Sequence, residues 1–326
     1  MKLFIKQRKR RKGEFQFYMH QFIDAVTEKG IPLKKEYYFS YSYKIRYIIV
    51  YCWYFLSVLF GKRKKKNAVI VTSDGENLMA EAFPYFFNAE IIPVLWDVWP
   101  YTWESLYKSL RLLKCKVLFV TVKSMAEKLS TDLDIKAYWL PEGIDVKLYS
   151  KGNNLSKRHI DIYELGRQFI KYHSVIEKVC YELDKVWIGN KYDENGRLIS
   201  LAFTSESEFK KGLKDSKILV SFPQVDTHPQ RAGGLETLTQ RYWEAMLSGC
   251  LIVGRSPQEL IDIMGYNPVI EIDWSEPENQ LKSVLEHISS YQPLVDKNYI
   301  AAINKASWNS RMTDLAKELK KLEYTF

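Results

Sequence analysis

Short apolar runs that alternate with stretches of helical periodicity most constrain the fold of this chain. Such runs occupy residues 68–72, 90–96, 117–121, 217–223 and 250–253. Strands that are apolar along their whole length are typical of parallel sheets, whose two faces are both covered by helices. Strands that alternate with helices indicate βαβ units. The sequence therefore predicts an α/β protein built on parallel sheets.

The beginning of the chain predicts the opening of a Rossmann-like half. A strand at residues 2–6 is followed by a basic loop at 7–13 and by a helix at 15–29, which Gly30 ends. The helix is predicted because its apolar residues recur at helical spacing. The chain has 326 residues, and single hydrophobic cores stop growing near about 250 residues. Two domains are therefore expected.

The charge of the chain limits its partners. The formal net charge is +9, seven of the first twelve residues are Lys or Arg, and a second basic cluster lies at 61–66. Such charge is typical of proteins that meet nucleic acid, an anionic membrane or phosphorylated substrates. Because the sequence contains no motif that reads nucleic acid, we expect no nucleic-acid partner and favour the other two classes.

The four cysteines indicate a reducing compartment. They are scattered, without the spacing of a metal site or of a disulfide framework. This pattern favours buried thiols in the cytoplasm, and no metal site is expected. The N-terminal basic run is not followed by the apolar core and cleavage site of a signal peptide.

An uncharged stretch at residues 47–60 leaves two alternatives open. Its fourteen residues are fewer than the about 20 that a spanning helix needs. The stretch is either a buried helix or a helix that lies in a membrane interface. In the second case its Tyr and Trp side chains would sit at headgroup depth and the basic residues 62–66 on anionic lipid. The protein would then be peripheral on the inner face of the membrane.

Residues 227–260 predict a loop, a helix, a turn, a strand and a second loop. Gly233 and Gly234 open the segment, and Gly249 suits the left-handed position that follows a helix. Because free backbone N–H groups and the helix dipole meet at a glycine-rich turn before a helix, we expect an anion site there. Glu236 is expected at the mouth of the helix, and Glu244 about two turns further along nearly the same face.

This segment resembles the donor-binding segment of retaining GT-B glycosyltransferases, of the glycosyltransferase family 4 type. In that family a Glu, seven residues and a second Glu precede a small-residue turn and an apolar strand, as Glu236 and Glu244 do here. Residues 160–167 resemble the family's strand that ends in Gly-Arg, and residues 139–145 resemble its linker between domains. Residues 306–308 resemble the segment where the chain crosses back to the first domain.

The sequence departs from the family in places. Residues 237–239 are Thr-Leu-Thr where Gly-Phe-Gly is usual, so the match is firmer for the second Glu than for the first. Arg241 is similar to an Arg of a related glycosyltransferase group, which also lies three residues before a Glu. Trp96 stands where the family has a His before Asp97, so the role of that His does not carry over.

The resemblance implies a GT-B fold, in which two Rossmann-like domains face each other across a cleft. It implies an acceptor-binding domain at 1–148 and a nucleotide-sugar-binding domain at 149–326, with the C-terminal helix crossing back. The implied activity moves a sugar from a nucleotide-sugar to a hydroxyl acceptor, often a lipid-linked or surface-polysaccharide glycan. The family is retaining and needs no metal, and no cofactor is expected. The alternatives are a nucleotide-sugar epimerase of the same fold and a non-catalytic sugar or nucleotide binder.

The resemblance also implies roles for single residues. Glu236 would be the catalytic residue that faces the donor sugar, and Glu244 would hold the ribose hydroxyls. Arg167 would grip the diphosphate together with Lys171 or, alternatively, Lys178. The other donor-side candidates are Gly233, Gly234, Arg241 and His228. The acceptor-side candidates are Gly13 and Asp97.

Overall fold

The computed structural model describes residues 1–8, 17–35, 42–59, 65–193 and 197–325. The chain divides into two compact units. Unit 1 comprises Met1–Gly143 and Trp308–Phe326, and unit 2 comprises Ile144–Ser307. The sequence prediction placed the boundary between residues 148 and 149.

Unit 1 contains a parallel sheet whose inner strands are buried. The strands are β1 (Lys2–Lys6), β2 (Leu33–Lys34), β3 (Asn67–Asp74), β4 (Ala89–Trp96), β5 (Val117–Val120) and β6 (Lys136–Trp139). Their order in the sheet is β2-β1-β3-β4-β5-β6, and all the neighbouring pairs are parallel. The predicted strands at 68–72, 90–96 and 117–121 are confirmed as β3, β4 and β5.

Helices connect the strands of unit 1. They are α1 (Phe17–Glu28), α2 (Tyr43–Leu59), α3 (Leu78–Ala82), α4 (Trp103–Leu113) and α5 (Lys123–Leu133). The sequence predicts one helix over 76–87, and this is wrong: α3 stops before Pro84, and Tyr85–Phe87 forms a short 3₁₀ turn. Proline does not fit a helix interior, because it lacks the N–H and its ring clashes with the preceding turn.

Trp96 belongs to the core of unit 1. Its side chain is 1% exposed and packs edge-on against Phe22 and Trp308, with ring centroids 5.5 and 6.2 Å apart. Edge-to-face pairs of this kind are favourable beyond the area that they bury. The residue that replaces the family's His therefore fills space between the sheet and its covering helices.

Unit 2 contains a second parallel sheet. Its strands are β7 (Ile160–Glu164), β8 (Trp187–Gly189), β11 (Ser216–Ser221), β12 (Leu251–Gly254) and β13 (Val269–Glu271), and β9 (Lys191–Tyr192) and β10 (Leu198–Ser200) form a separate hairpin. The sheet order is β13-β12-β11-β7-β8. The predicted strands at 217–223 and 250–253 are confirmed as β11 and β12.

The helices of unit 2 cover this sheet. They are α6 (Ile170–Leu183), α7 (Glu206–Asp215), α8 (Gln224–Thr227), α9 (Pro229–Ala232), α10 (Gln240–Ser248), α11 (Gln258–Met264), α12 (Pro277–Glu286) and α13 (Gln292–Lys305). The last helix, α14 (Trp308–Lys321), belongs to unit 1. The sequence predicts one helix over 299–322, and this is wrong, because Ser307 leaves the helical conformation to bridge Ile144.

The strand order of unit 2 determines where a ligand can bind. From β7 the chain adds β8 on one side and then returns to add β11 on the other side. This reversal leaves a crevice outside the carboxyl ends of β7 and β11, which is where open α/β sheets bind their ligands. The residues that follow these two strands are therefore the first candidates for a site.

Candidate functional site

A glycine turn and an arginine meet at the carboxyl end of β7. Gly166 adopts the left-handed conformation, with φ of 76°, and Tyr192 donates a hydrogen bond of 2.8 Å from its hydroxyl to the Gly166 carbonyl. The guanidinium of Arg241 lies directly against this turn. A Cβ atom at position 166 would be 2.7 Å from the nearest Arg241 nitrogen, so a larger residue would require the guanidinium to shift, and glycine also suits the positive φ.

Three arginines lie within electrostatic range of His228, which follows β11 through α8. Burial lowers the pKa of His228, and the positive charges of Arg167, Arg231 and Arg241 lower it further. Burial also lowers the pKa of Arg241. Like charges that are partly withdrawn from water repel one another, and an anionic ligand relieves this repulsion. The arginine cluster, defined as Arg167, Arg231, Arg241 and His228, therefore has the composition of an anion site.

Glu244 adjoins the arginine cluster. It lies one turn after Arg241 on α10, and its Oε1 accepts a hydrogen bond of 2.9 Å from the Tyr149 hydroxyl. Burial raises the pKa of the Glu244 carboxyl, whereas the Tyr149 bond and the positive charge of Arg241 oppose that rise. A carboxylate can accept about four hydrogen bonds, so Glu244 has capacity for a ligand's hydroxyl groups beside Tyr149.

Glu236 takes part in a different set of contacts. Its carboxylate forms an ion pair with Arg255 and accepts a hydrogen bond of 2.5 Å from the Gln258 backbone N–H. Arg255 in turn donates from Nε to Asp226 at 2.6 Å. Asp226 lies on α8, two residues before His228. These ion pairs connect Arg255, which follows β12, with the segment that contains Asp226 and His228.

The glycine pair does not lead directly into a helix. Gly233 caps the C-terminus of α9, and Gly233 and Gly234 have φ of 55° and 83°. Helix α10 begins only at Gln240. The prediction that this turn and Glu236 form the mouth of the long helix is therefore wrong. The glycines instead allow the sharp reversal after α9, since left-handed conformations are strained for other residues.

The two lysine candidates lie on α6. Lys171 is in its first turn, and its Nζ lies 4.1 Å from the centroid of the Trp274 ring, in a cation–π contact. Lys178 forms an ion pair of 2.7 Å with Glu278. The positive charge of Arg167 lies close enough to His228 to lower its pKa. The structure thus brings Arg167, Arg241 and His228 together and engages both lysines with other partners.

The acceptor-side candidates belong to unit 1. Gly13 lies outside the described residues. Asp97 follows β4 at the carboxyl edge of its sheet and has φ of 48°, and the Tyr18 hydroxyl lies 3.4 Å from its Oδ2. Burial raises the pKa of Tyr18, and the negative charges of Asp97 and Glu142 raise it further. A left-handed conformation at a non-glycine residue is strained, and such strain is concentrated at functional sites.

A polar network that the sequence analysis missed supports the arginine cluster. Glu164, buried at the end of β7, shares hydrogen bonds of 2.6 Å with His173 Nδ1 and 3.0 Å with Trp187 Nε1. Gln168 adds a longer contact of 3.4 Å. These bonds hold the two ends of the loop that carries Gly166 and Arg167. No sequence motif predicts this network, because its members come from a strand, a loop, a helix and a second strand.

Two general findings concern metal ions and membranes. Within the described ranges, no group of three or more His, Cys, Asp or Glu side chains is arranged to hold a metal ion. In the same part of the chain, no helix combines the length and the apolar character that crossing a membrane requires.

Comparison with known proteins identifies the fold. No protein-family model matches the chain, and no curated protein matches it significantly. Among solved structures, a sucrose-phosphate synthase from Thermosynechococcus elongatus is 9% identical over 99% of both chains, with a TM-score of 0.63. HepE of Anabaena, solved with UDP and glucose, is 10% identical over 98% of this chain and 100% of its own, with a TM-score of 0.59.

A third structure has the same architecture. A glycosyltransferase from Rickettsia africae is 10% identical over 100% of this chain and 99% of its own, with a TM-score of 0.59. At such low identity these likenesses establish the fold alone. The chain has the GT-B architecture of two Rossmann-like domains, as the sequence predicts.

The contact between Gly166 and Arg241 gives a first prediction. The Gly166→Ala variant should lose about 1–2 kcal/mol of stability through its left-handed backbone and should also displace the Arg241 guanidinium. Gly265→Ala is the matched control, because Gly265 has φ of 79° but open space around its Cβ position. Thermal unfolding should show a loss in both variants and a larger loss in Gly166→Ala, because only that variant also displaces the guanidinium. Equal losses in the two variants would contradict this packing.

The Glu164–His173 pair gives a prediction about pH. The hydrogen bond with Glu164 raises the pKa of His173. The resulting stabilisation is complete below the pKa of an unfolded histidine and disappears as the pH rises through the raised pKa. His173→Ala should therefore cost about 1.5–3 kcal/mol in acid, as expected for a hydrogen bond to a charged group, and less in alkali.

Denaturant unfolding at about pH 6 and about pH 9, on either side of the titration, measures this difference. His287→Ala is the control, because its Nδ1 bonds only the Ser283 backbone carbonyl, at 3.0 Å. The free energy of unfolding of His287→Ala should follow that of the wild type at both pH values. A cost for His173→Ala that does not change with pH would refute the charged pair.

Proposed function

We propose that this protein is a glycosyltransferase that moves a sugar from a nucleotide-sugar donor to a hydroxyl acceptor. The observation that carries the proposal is the arginine cluster beside Glu244, at the carboxyl edge of the unit 2 sheet. The fold supports it, since HepE of the same architecture was solved with UDP-glucose. A nucleoside diphosphate offers both features that this site can bind, a diphosphate for the arginines and a ribose diol for Glu244.

In this proposal the arginines act on the leaving group. As the bond between the sugar and the phosphate breaks, negative charge develops on the nucleoside diphosphate. Guanidinium groups that are already in place stabilise this charge most in the transition state. Arg241 and Arg167 would hold the diphosphate, and the Gly166 turn lets Arg241 approach it. Because these cations neutralise the diphosphate, we propose a reaction that needs no metal or cofactor.

Two carboxylates divide the remaining donor contacts. Glu244 would accept hydrogen bonds from the ribose hydroxyls. Glu236, held in place by Arg255 and the Gln258 N–H, would face the donor sugar and accept from its hydroxyls. The reaction would retain the anomeric configuration, and the leaving phosphate would take the acceptor's proton. These assignments extend the resemblance in the sequence.

The acceptor is proposed to be a lipid-linked or surface-polysaccharide glycan. Unit 1 would bind it, near the Tyr18–Asp97 pair. We further propose that the protein is cytoplasmic and works at the inner face of the membrane, because a lipid-linked acceptor would be held in that membrane. The strongly basic composition of the chain supports an anionic partner of this kind.

The first test is donor binding. Arg167→Ala and Arg241→Ala should each weaken UDP binding by about 1.5–3 kcal/mol, the range for hydrogen bonds to charged groups. Lys171→Ala should have a smaller effect, because Lys171 lies over Trp274. Isothermal titration measures the three affinities. The exposed Lys185 provides a control variant, Lys185→Ala, which removes a charge elsewhere on unit 2. If both arginine variants bind like this control, the arginine cluster is not the diphosphate site.

The second test separates the two glutamates by kinetics. Glu244→Gln should raise the donor KM with a smaller change in kcat, because the ribose contact is equal in the ground and transition states. Glu236→Gln should lower kcat, since Glu236 is proposed to lie nearer the reacting carbon. The measurement is release of the nucleoside diphosphate from UDP-sugars, with and without glycan acceptors. Full turnover by Glu236→Gln would remove that residue from the mechanism. Donor binding without any release would indicate the non-catalytic binder instead.

A further inference from the structure

One face of α2 exposes large apolar side chains. Helix α2 buries Val50, which is 1% exposed, on the side that faces the rest of unit 1. The opposite side exposes Ile48 by 59% and Phe55 by 50%. Other exposed side chains of the same helix are Ile45, Tyr51, Trp53 and Leu56. Contiguous apolar surface of this kind marks an interaction site rather than ordinary solvent-facing surface.

Basic side chains border this face. Helix α4 packs beside α2 and carries Lys108 and Arg111, and Lys114 follows as its C-cap residue. All three side chains are exposed. The Nζ of Lys108 lies 5.6 Å from the ring centroid of Tyr51, and the Nζ of Lys114 lies 4.8 Å from that of Tyr54. Because the cations touch the aromatic side chains of α2, the apolar face and the basic row form one continuous surface, here called the α2–α4 face.

The basic character continues beyond α4. A cavity of about 690 Å³ is lined by Arg111, Lys114, Lys116 and Lys136. A second cavity of about 730 Å³ shares Lys116 and Lys136 and adds Lys65 and Lys66. The acidic groups nearby are engaged: Glu90 pairs with Lys116 at 2.9 Å, and Asp132 pairs with Lys128 at 2.9 Å. Three exposed carboxylates also lie here: Glu104, one turn before Lys108, Asp134 in the first cavity and Glu323 in the second. The described cations that line this surface still outnumber them.

We infer that the α2–α4 face docks on an anionic lipid membrane. An interfacial helix needs apolar and aromatic side chains at the acyl boundary and cations at headgroup level, and this face supplies both. A second copy of the chain fits less well, since pairing two such faces would bring the basic rows of both copies together. The charge of the face is complementary to phosphate headgroups and repels its own copy.

The inference deepens the proposed function, because a protein whose acceptor is lipid-linked must meet it at a membrane. Each of the two alternatives for residues 47–60 describes one side of α2, since the helix buries Val50 and exposes Ile48 and Phe55. The inferred docking does not require the basic residues before α1, since the α2–α4 face contains both apolar and basic side chains without them.

The experiment is co-sedimentation of the full chain with phosphatidylcholine vesicles, with and without about 40% phosphatidylglycerol as the anionic lipid. The basic variant is Lys108→Gln, Arg111→Gln, Lys114→Gln. Its partitioning should fall about 100-fold, which is about five-fold for each basic residue near the surface. The matched control is Lys157→Gln, Lys185→Gln, Lys211→Gln, which removes the same charge from exposed positions of unit 2. It should bind like the wild type.

A second variant tests the apolar contribution. Ile48→Ser, Phe55→Ser, Leu56→Ser should remove the part of the binding that resists high salt, since salt screens only the charges. Its control is Leu183→Ser, Ile199→Ser, Ile300→Ser, three exposed apolar positions of unit 2. Thermal unfolding should show that both variants of the α2–α4 face stay folded, because the replaced side chains are exposed.

The outcomes separate this inference from the proposed activity. Sedimentation of the wild type with anionic vesicles and loss in both variants supports the inference, whether or not UDP binds. Failure of the wild type to sediment with anionic vesicles at low salt, or equal loss in the control variants, overturns it. A wild type that forms dimers through this face in analytical ultracentrifugation, lost in the apolar variant, also overturns it in favour of a second copy.

Discussion

The proposed donor site depends on the approach of the Arg241 guanidinium to the backbone turn at Gly166. The backbone of Gly166 has the left-handed conformation, and the residue has no side chain. The positive group of Arg241 can therefore lie against the carboxyl end of β7. Burial of a cation is unfavourable unless a partner of opposite charge arrives. Glu244 offsets part of this cost for Arg241, and the positive charges of Arg167 and Arg231 lie close enough to lower the pKa of His228. A site that is electrostatically costly while empty gains the most from a highly charged anion, and a diphosphate is such an anion.

The fold around this interaction explains its position. The reversal of strand order between β7 and β11 opens a crevice at the carboxyl edge of the sheet. Arg167 follows β7, His228 follows β11 through α8, and Arg241 enters from α10. The Glu164 network anchors the loop of Arg167 from behind. Residues that are distant in sequence thus meet because parallel strands end at the same edge.

The sequence predicted the parts of the structure that local composition determines. Strands such as β3 and β11 were predictable because their side chains are buried on both faces and are therefore apolar. The break in the predicted helix over 299–322 was not, because Ser307 leaves the helix to pair with Ile144, which lies far away in the chain. The sequence likewise predicted a helix directly after Gly234, whereas five further residues precede α10.

The candidate site shows the same division. Arg167 was predicted from one short motif, and Arg241 and Glu244 from another. Each of these motifs lies within a single stretch of sequence. Tyr149 and Tyr192 were missed, because each reaches its partner across a large separation in sequence. Lys171 had the expected spacing after Arg167, yet its side chain lies over Trp274. Spacing alone does not determine the direction of a side chain at the start of a helix.

The most direct test of the account is a crystal structure of the protein with bound UDP. We expect the diphosphate oxygens within about 2.7–3.2 Å of the guanidinium nitrogens of Arg167 and Arg241, the range of protein hydrogen bonds. The ribose hydroxyls should lie beside the Glu244 carboxylate, at the carboxyl end of β7. A diphosphate bound elsewhere, with the arginine cluster facing only water, would contradict the account.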